Sequence, residues 1–145
     1  MPESMLFEEI VLAQILIIAG ASIVGALGWV HLLLIFFSQK FHAHNPDVTE
    51  AMKNTSPIIS KQTSMWHAWV GFNASHGIGA LLLAAVYIPL TIYHFPIINH
   101  SLWFSLLPCL ISLSYLILAK KYWFNVPFSG LLISSICFMT AFIII

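Results

Sequence analysis

The chain has 145 residues, of which 60% are hydrophobic, 14% aromatic and only 7% charged, and its formal net charge is zero. A soluble globular domain carries about 25% charged residues. This composition therefore excludes an ordinary soluble enzyme, a disordered chain and a nucleic-acid binder that depends on basic charge. The class that remains is an integral membrane protein, which has the lipid bilayer as a partner.

Four long apolar stretches follow one another along the chain, at about 10–38, 64–93, 102–119 and 127–145. A helix of about 20 apolar residues crosses a bilayer. Such a helix also satisfies every backbone polar group within its own segment. The sequence therefore predicts an all-α fold, an integral membrane four-helix bundle, with residues 1–145 forming a single four-span transmembrane domain.

All five basic residues would lie on one side of this bundle. Three lysines fall in the polar loop 39–63 between the first two spans, and two fall between the third and fourth spans. Cytoplasmic loops are enriched in Lys and Arg. We therefore expect loop 39–63 to be cytoplasmic and both termini to be non-cytoplasmic. The acidic N-terminal segment also lacks the positive charge of a signal peptide.

The loop 39–63 contains one helix signal of its own. Asn45 followed by Pro46 is typical of a helix start, with Asn as the N-cap and Pro at the first helical position. Asp47 and Glu50 then fall in the first turn, where negative charge is favourable. The sequence predicts a short helix over residues 46–54 at the membrane surface.

The second span carries an aromatic and polar face. At 100° per residue, the side chains of Trp66, Trp69, Asn73 and His76 cluster within about 80°. The first span presents a face of small residues that ends at His31, at a similar depth to Asn73 and His76. Polar groups at that depth are costly unless they are partnered. The pattern predicts a polar, ligand-binding pocket between spans one and two, formed by these five residues.

A second stripe on the same helix consists of small residues. Gly71, Ser75 and Gly79 recur every four residues on the side opposite the aromatic face. Small residues at this spacing let two membrane helices approach closely. We therefore expect this stripe to pack against a neighbouring helix.

Three hypotheses about function remain open. The first is binding of a small molecule or a lipid at the predicted pocket, with or without enzymatic activity. The second is an accessory or structural subunit that contacts another membrane protein or a second copy of itself. The third is ligation of haem or a metal by His31 and His76, since imidazole suits several transition metals. The sequence identifies no catalytic residue, no cofactor and no nucleic-acid partner.

More modest interpretations stand beside these. Trp66 and Trp69 are also typical of the aromatic belt at a membrane interface. His31 and His76 could equally form a structural hydrogen-bonded pair. No metal ligands are assigned, because the spans contain neither a His-x-x-x-His pair nor an acidic residue.

The second span also resembles a known family. Its start has the form Met-Trp-x-Ala-Trp-x-Gly-Phe-Asn-x-Ser-His, carried by Met65, Trp66, Ala68, Trp69, Gly71, Phe72, Asn73, Ser75 and His76. This pattern is similar to an uncharacterised family of small four-span bacterial membrane proteins. The resemblance implies a multi-pass protein of the bacterial inner (cytoplasmic) membrane, and it implies nothing about a substrate.

Overall fold

The computed structural model describes the backbone from residue 3 and the side chains from residue 7 onward. This part of the chain is helical and contains no β-strand. Its helices are α1 (Glu3–Phe37), α2 (Pro46–Asn54), α3 (Met65–Tyr93), α4 (Phe95–Asn99), α5 (Leu102–Tyr122) and α6 (Asn125–Ile144). The all-α fold with four long apolar helices is confirmed.

Four of these helices are long and apolar enough to cross a membrane, namely α1 from Phe7, α3, α5 and α6. They coincide with the four predicted spans, and α5 and α6 each extend by two or three residues toward the link between them. The short helix α2 has the predicted bounds. The side chain of Asn45 accepts a hydrogen bond from the backbone N–H of Asp47 at 3.0 Å, which caps this helix.

The chain divides into two compact units. The first comprises the residues up to Leu27 together with Ala80–Ile145, and the second comprises Gly28–Gly79. Helices α1 and α3 each contribute to both. The first unit contains α4, α5 and α6, and the second contains the loop 39–63 with α2.

Within the first unit, α1 packs closely because its inner face is made of small residues. A Cβ added to Gly25 would lie only 2.7 Å from the Cβ of Ala84 on α3. Gly20 is likewise buried, and its carbonyl accepts a hydrogen bond of 2.9 Å from the hydroxyl of Ser134 on α6. The small face predicted on the first span is therefore the buried face of this helix, as close helix packing in membranes requires.

A proline in α5 explains a second contact in the first unit. Pro108 lies inside the helix and has no N–H, so the carbonyl of Phe104 loses its helical partner. The hydroxyl of Tyr87 on α3 donates to that carbonyl at 2.9 Å. Tyr87 is only 2% exposed. A backbone acceptor that the proline leaves open is thus satisfied by a side chain from another helix.

Within the second unit, the close approach of α1 and α3 is centred on Gly77. A Cβ at this position would lie 2.9 Å from the side chain of Leu32 and 3.2 Å from the carbonyl oxygen of Gly28. The predicted packing stripe is different: Gly71 and Ser75 are exposed, and a Cβ at Gly71 would meet nothing within 4 Å. Among the described residues, no helix of this chain therefore lies against Gly71, and packing of the stripe against another helix stays a prediction. Helical periodicity defines the faces of α3, but it does not say which face meets α1.

Candidate functional site

Two histidines meet in the second unit. His31 on α1 and His76 on α3 have ring centroids 5.3 Å apart, and their planes are inclined by 58°. Both side chains are half-buried. His31 lies six residues before the end of α1, or about 9 Å along the helix. The structure therefore brings together the two histidines that the sequence placed at similar depths.

His31 has an unsatisfied ring nitrogen. Its Nε2 atom is buried and has no hydrogen-bond partner among the described residues. A buried polar atom without a partner costs about 1–3 kcal/mol. Such atoms are rare in folded proteins, and a ligand that supplies the missing partner is one physical explanation. The Nε2 atom of His31 is therefore the atom of the site that most directly indicates a bound ligand.

Asn73 is a residue of α3 that lies next to His31, and its side chain is held by a hydrogen bond. Its side-chain Nδ2 donates to the carbonyl of Trp69, one turn earlier in α3, at 2.8 Å. This hydrogen bond holds the amide in one orientation. The imidazole of His31 lies close enough to Asn73 to interact with it. Asn73 can therefore orient the His31 ring, which is a positioning role.

The segment after α1 folds back over the two tryptophans. The indole Nε1 of Trp69 donates to the carbonyl of Phe41 at 3.3 Å. The ring of His42 packs edge-on against Trp66 with centroids 4.7 Å apart. Trp66 and Trp69 thus contact the loop 39–63. Neither the predicted ligand-binding pocket nor the aromatic-belt interpretation included this contact.

Phe41 completes the cluster. Its ring lies edge-on to His31 with centroids 4.7 Å apart and an interplanar angle of 74°. Sequence reasoning missed both Phe41 and His42, because helical periodicity carries no information about a loop. The only available signal was composition, since Phe-His-Ala-His comes within a few residues of the end of the first span.

Local capping sets the frame around this cluster. The hydroxyl of Ser64 accepts from the backbone N–H of His67 at 3.2 Å, so Ser64 caps α3. The hydroxyl of Thr49 on α2 accepts from the N–H of Ala43 at 3.0 Å. Both bonds lie next to aromatic residues of the cluster in the sequence.

The histidine–aromatic cluster, defined as His31, Phe41, His42, Trp66, Trp69, Asn73 and His76, contains no Lys, Arg, Asp or Glu. Its chemistry is limited to imidazole nitrogens, one amide and aromatic faces. These groups can form hydrogen bonds to a neutral ligand, contact an apolar surface, or ligate a transition metal. They offer no formal opposite charge to a carboxylate, a phosphate or an amine.

The spacing of the histidine pair bears on the metal hypothesis. The ring centroids of His31 and His76 are 5.3 Å apart. Ligation of haem by the same pair stays a prediction. Two imidazoles that share one tetrahedral ion, each bound at about 2 Å, would have centroids about 5 Å apart. The described residues contain no group of three or more His, Cys, Asp or Glu that could enclose such an ion.

Comparisons with known proteins gave no match: no protein family, curated protein or solved structure is significantly similar to this chain.

Proposed function

We propose that the protein is a multi-pass protein of the bacterial inner membrane that binds a small molecule or a lipid at the histidine–aromatic cluster. His31 and His76 form the polar contacts to the ligand, and Asn73 orients His31. Trp66 and Trp69 support the binding site through the loop segment that carries Phe41. The observation that carries this proposal is the buried His31 Nε2 atom, which has no hydrogen-bond partner among the described residues.

The composition of the cluster narrows the ligand. Because no charged side chain belongs to the cluster, a neutral polar group fits it better than an ion. A hydroxyl or an N–H could donate to a neutral imidazole nitrogen, and a carbonyl could accept from the N–H tautomer. The aromatic rings of Phe41 and Trp66 favour an apolar body attached to that polar group. A lipid or a small amphiphile has both parts.

A transition-metal ion is the second candidate. The observation that favours it is the 5.3 Å separation of the His31 and His76 rings, which suits two ligands on one ion. Two protein ligands leave the remaining coordination positions to water or to another molecule. The subunit hypothesis stays a prediction, since no contact with a partner supports it.

The first test compares what co-purifies with the protein. The wild type, the double variant His31→Ala/His76→Ala and the control His44→Ala are purified in the same mild detergent and analysed by native mass spectrometry. His44 is an exposed histidine of the loop 39–63, which also carries Phe41 and His42. We expect a retained small molecule or lipid in the wild type and the control, and a loss of at least about tenfold in occupancy in the double variant.

Two outcomes would redirect this proposal. An identical set of bound compounds in all three preparations contradicts ligand binding at the histidine pair. Elemental analysis of the same samples addresses the second candidate. If the wild type and the control contain about one transition-metal ion per chain and the double variant contains none, the ligand of the site is a metal ion and not an organic molecule.

A further inference from the structure

We propose that the tip of the loop between α2 and α3, formed by Ile58 and Ile59, inserts into the headgroup region of the bilayer. Its partner is thus a lipid surface, on the side of the membrane where loop 39–63 lies. This inference does not depend on the ligand site, because it uses other residues and other contacts.

The two isoleucines are more exposed than any other large apolar side chain among the described residues. Their relative exposures are 108% for Ile58 and 93% for Ile59. High exposure on a membrane-spanning helix is expected, since lipid covers it. These two residues lie in a polar loop instead, where two adjacent exposed isoleucines would face water. Adjacent, fully exposed apolar side chains mark a surface that something covers.

The backbone holds this tip in a defined shape. The N–H of Ser60 donates to the carbonyl of Pro57 at 3.2 Å, which closes a turn around the two isoleucines. The N–H of Met65 donates to the carbonyl of Thr55 at 2.8 Å and closes the base of the loop. Because the turn is already formed, insertion requires little further ordering of the chain.

The length of the loop keeps the tip close to the start of a membrane-spanning helix. Its base is joined to Met65, the first residue of α3, which is a membrane-spanning helix. Ile59 is six residues from Met65, so it lies no more than about 20 Å from the start of that span. An apolar tip tethered this close to the bilayer has the lipid interface as its nearest apolar surroundings.

The charges around the tip fit lipid headgroups. Lys61 follows Ile59 by two residues, and Lys53 lies at the end of α2, beside Glu50 at 3.5 Å. The whole loop 39–63 contains three lysines and two acidic residues, which leaves a net charge of +1. A lysine near the membrane surface is attracted to anionic lipid headgroups.

Spin labels on single cysteines test this inference in the full chain. The variants Ile58→Cys, Ile59→Cys and the control Gln62→Cys are labelled and reconstituted in vesicles of mixed zwitterionic and anionic phospholipid. Gln62 is an exposed polar residue of the same loop. The unsubstituted chain gives the blank, since Cys109 is buried and Cys137 half-buried in α5 and α6. We expect the labels at positions 58 and 59 to be severalfold more accessible to oxygen than to a water-soluble nickel chelate, relative to the control.

Three results would overturn the inference or part of it. Labels at 58 and 59 with the same accessibilities as the label at 62 show that the tip lies in water. Dipolar broadening between labels at low protein-to-lipid ratio shows that a second copy covers the tip. In the Lys61→Gln background, an unchanged depth in anionic vesicles overturns the charge contribution, while a shallower depth only in anionic vesicles supports it.

Discussion

Replacing Gly25 with valine is expected to lower the free energy of unfolding by about 3 kcal/mol, near the upper part of the range for overpacked positions. The reason is steric. Any Cβ at this position lies 2.7 Å from the Cβ of Ala84, and a Cβ cannot move away without its backbone. The helices α1 and α3 must therefore separate, and the contacts around them in the first unit loosen. Steric trapping in bicelles measures the change.

The same substitution at Gly71 is the matched control. A Cβ there would meet nothing within 4 Å, and an exposed substitution usually changes stability by no more than about 0.5 kcal/mol. A loss of no more than about 0.5 kcal/mol in Gly25→Val would contradict the packing of α1. A loss of about 3 kcal/mol in both variants would instead indicate that the exposed stripe of α3 is covered in the membrane by another molecule.

Tyr87→Phe is expected to destabilise the protein by about 1–2 kcal/mol. The substitution keeps the ring and removes only the hydroxyl that donates to the carbonyl of Phe104 at 2.9 Å. That carbonyl then has neither a helical partner, because of Pro108, nor a side-chain partner. Unfolding measurements on the single variant give the size of the loss.

A double-mutant cycle isolates the cause of this effect. In Pro108→Ala, residue 108 regains an N–H that can bond to the carbonyl of Phe104 within α5. Adding Tyr87→Phe to this background should cost less than about 0.5 kcal/mol, so the two substitutions should couple strongly. Purely additive effects would show that the tyrosine hydroxyl stabilises the protein in some other way.

Most of the fold could be predicted from the sequence because each span is a continuous apolar run. The helix α2 was equally accessible, since Asn45 and Pro46 specify its start by local chemistry alone. The choice of packing face was not accessible. Gly77 and Gly71 are both small residues of α3, but of the two only Gly77 lies against α1, next to Leu32 and Gly28.

Some contacts of the candidate site could also be predicted from the sequence, and others could not. The juxtaposition of His31 and His76 follows from depth and from the small face of α1, and both are properties of regular helices. The contacts of Phe41 with His31 and of His42 with Trp66 depend on how an irregular loop folds back. The link between Tyr87 and Phe104 needed two facts at once, namely the missing N–H of Pro108 and the facing helix. None of these three contacts can be predicted from helical periodicity.

The most direct test of ligand binding at the histidine pair is the ¹⁵N chemical shift of His31 Nε2. Histidine-labelled protein is studied by solid-state NMR in lipid bilayers, with the signal assigned through His31→Ala and with the exposed His44 as internal reference. Ligand binding predicts that the His31 Nε2 signal shifts when the protein is delipidated. It should return when a total lipid and small-molecule extract of the producing cells is added back, while His44 stays unchanged. An identical His31 signal in the native, delipidated and reconstituted samples would contradict it.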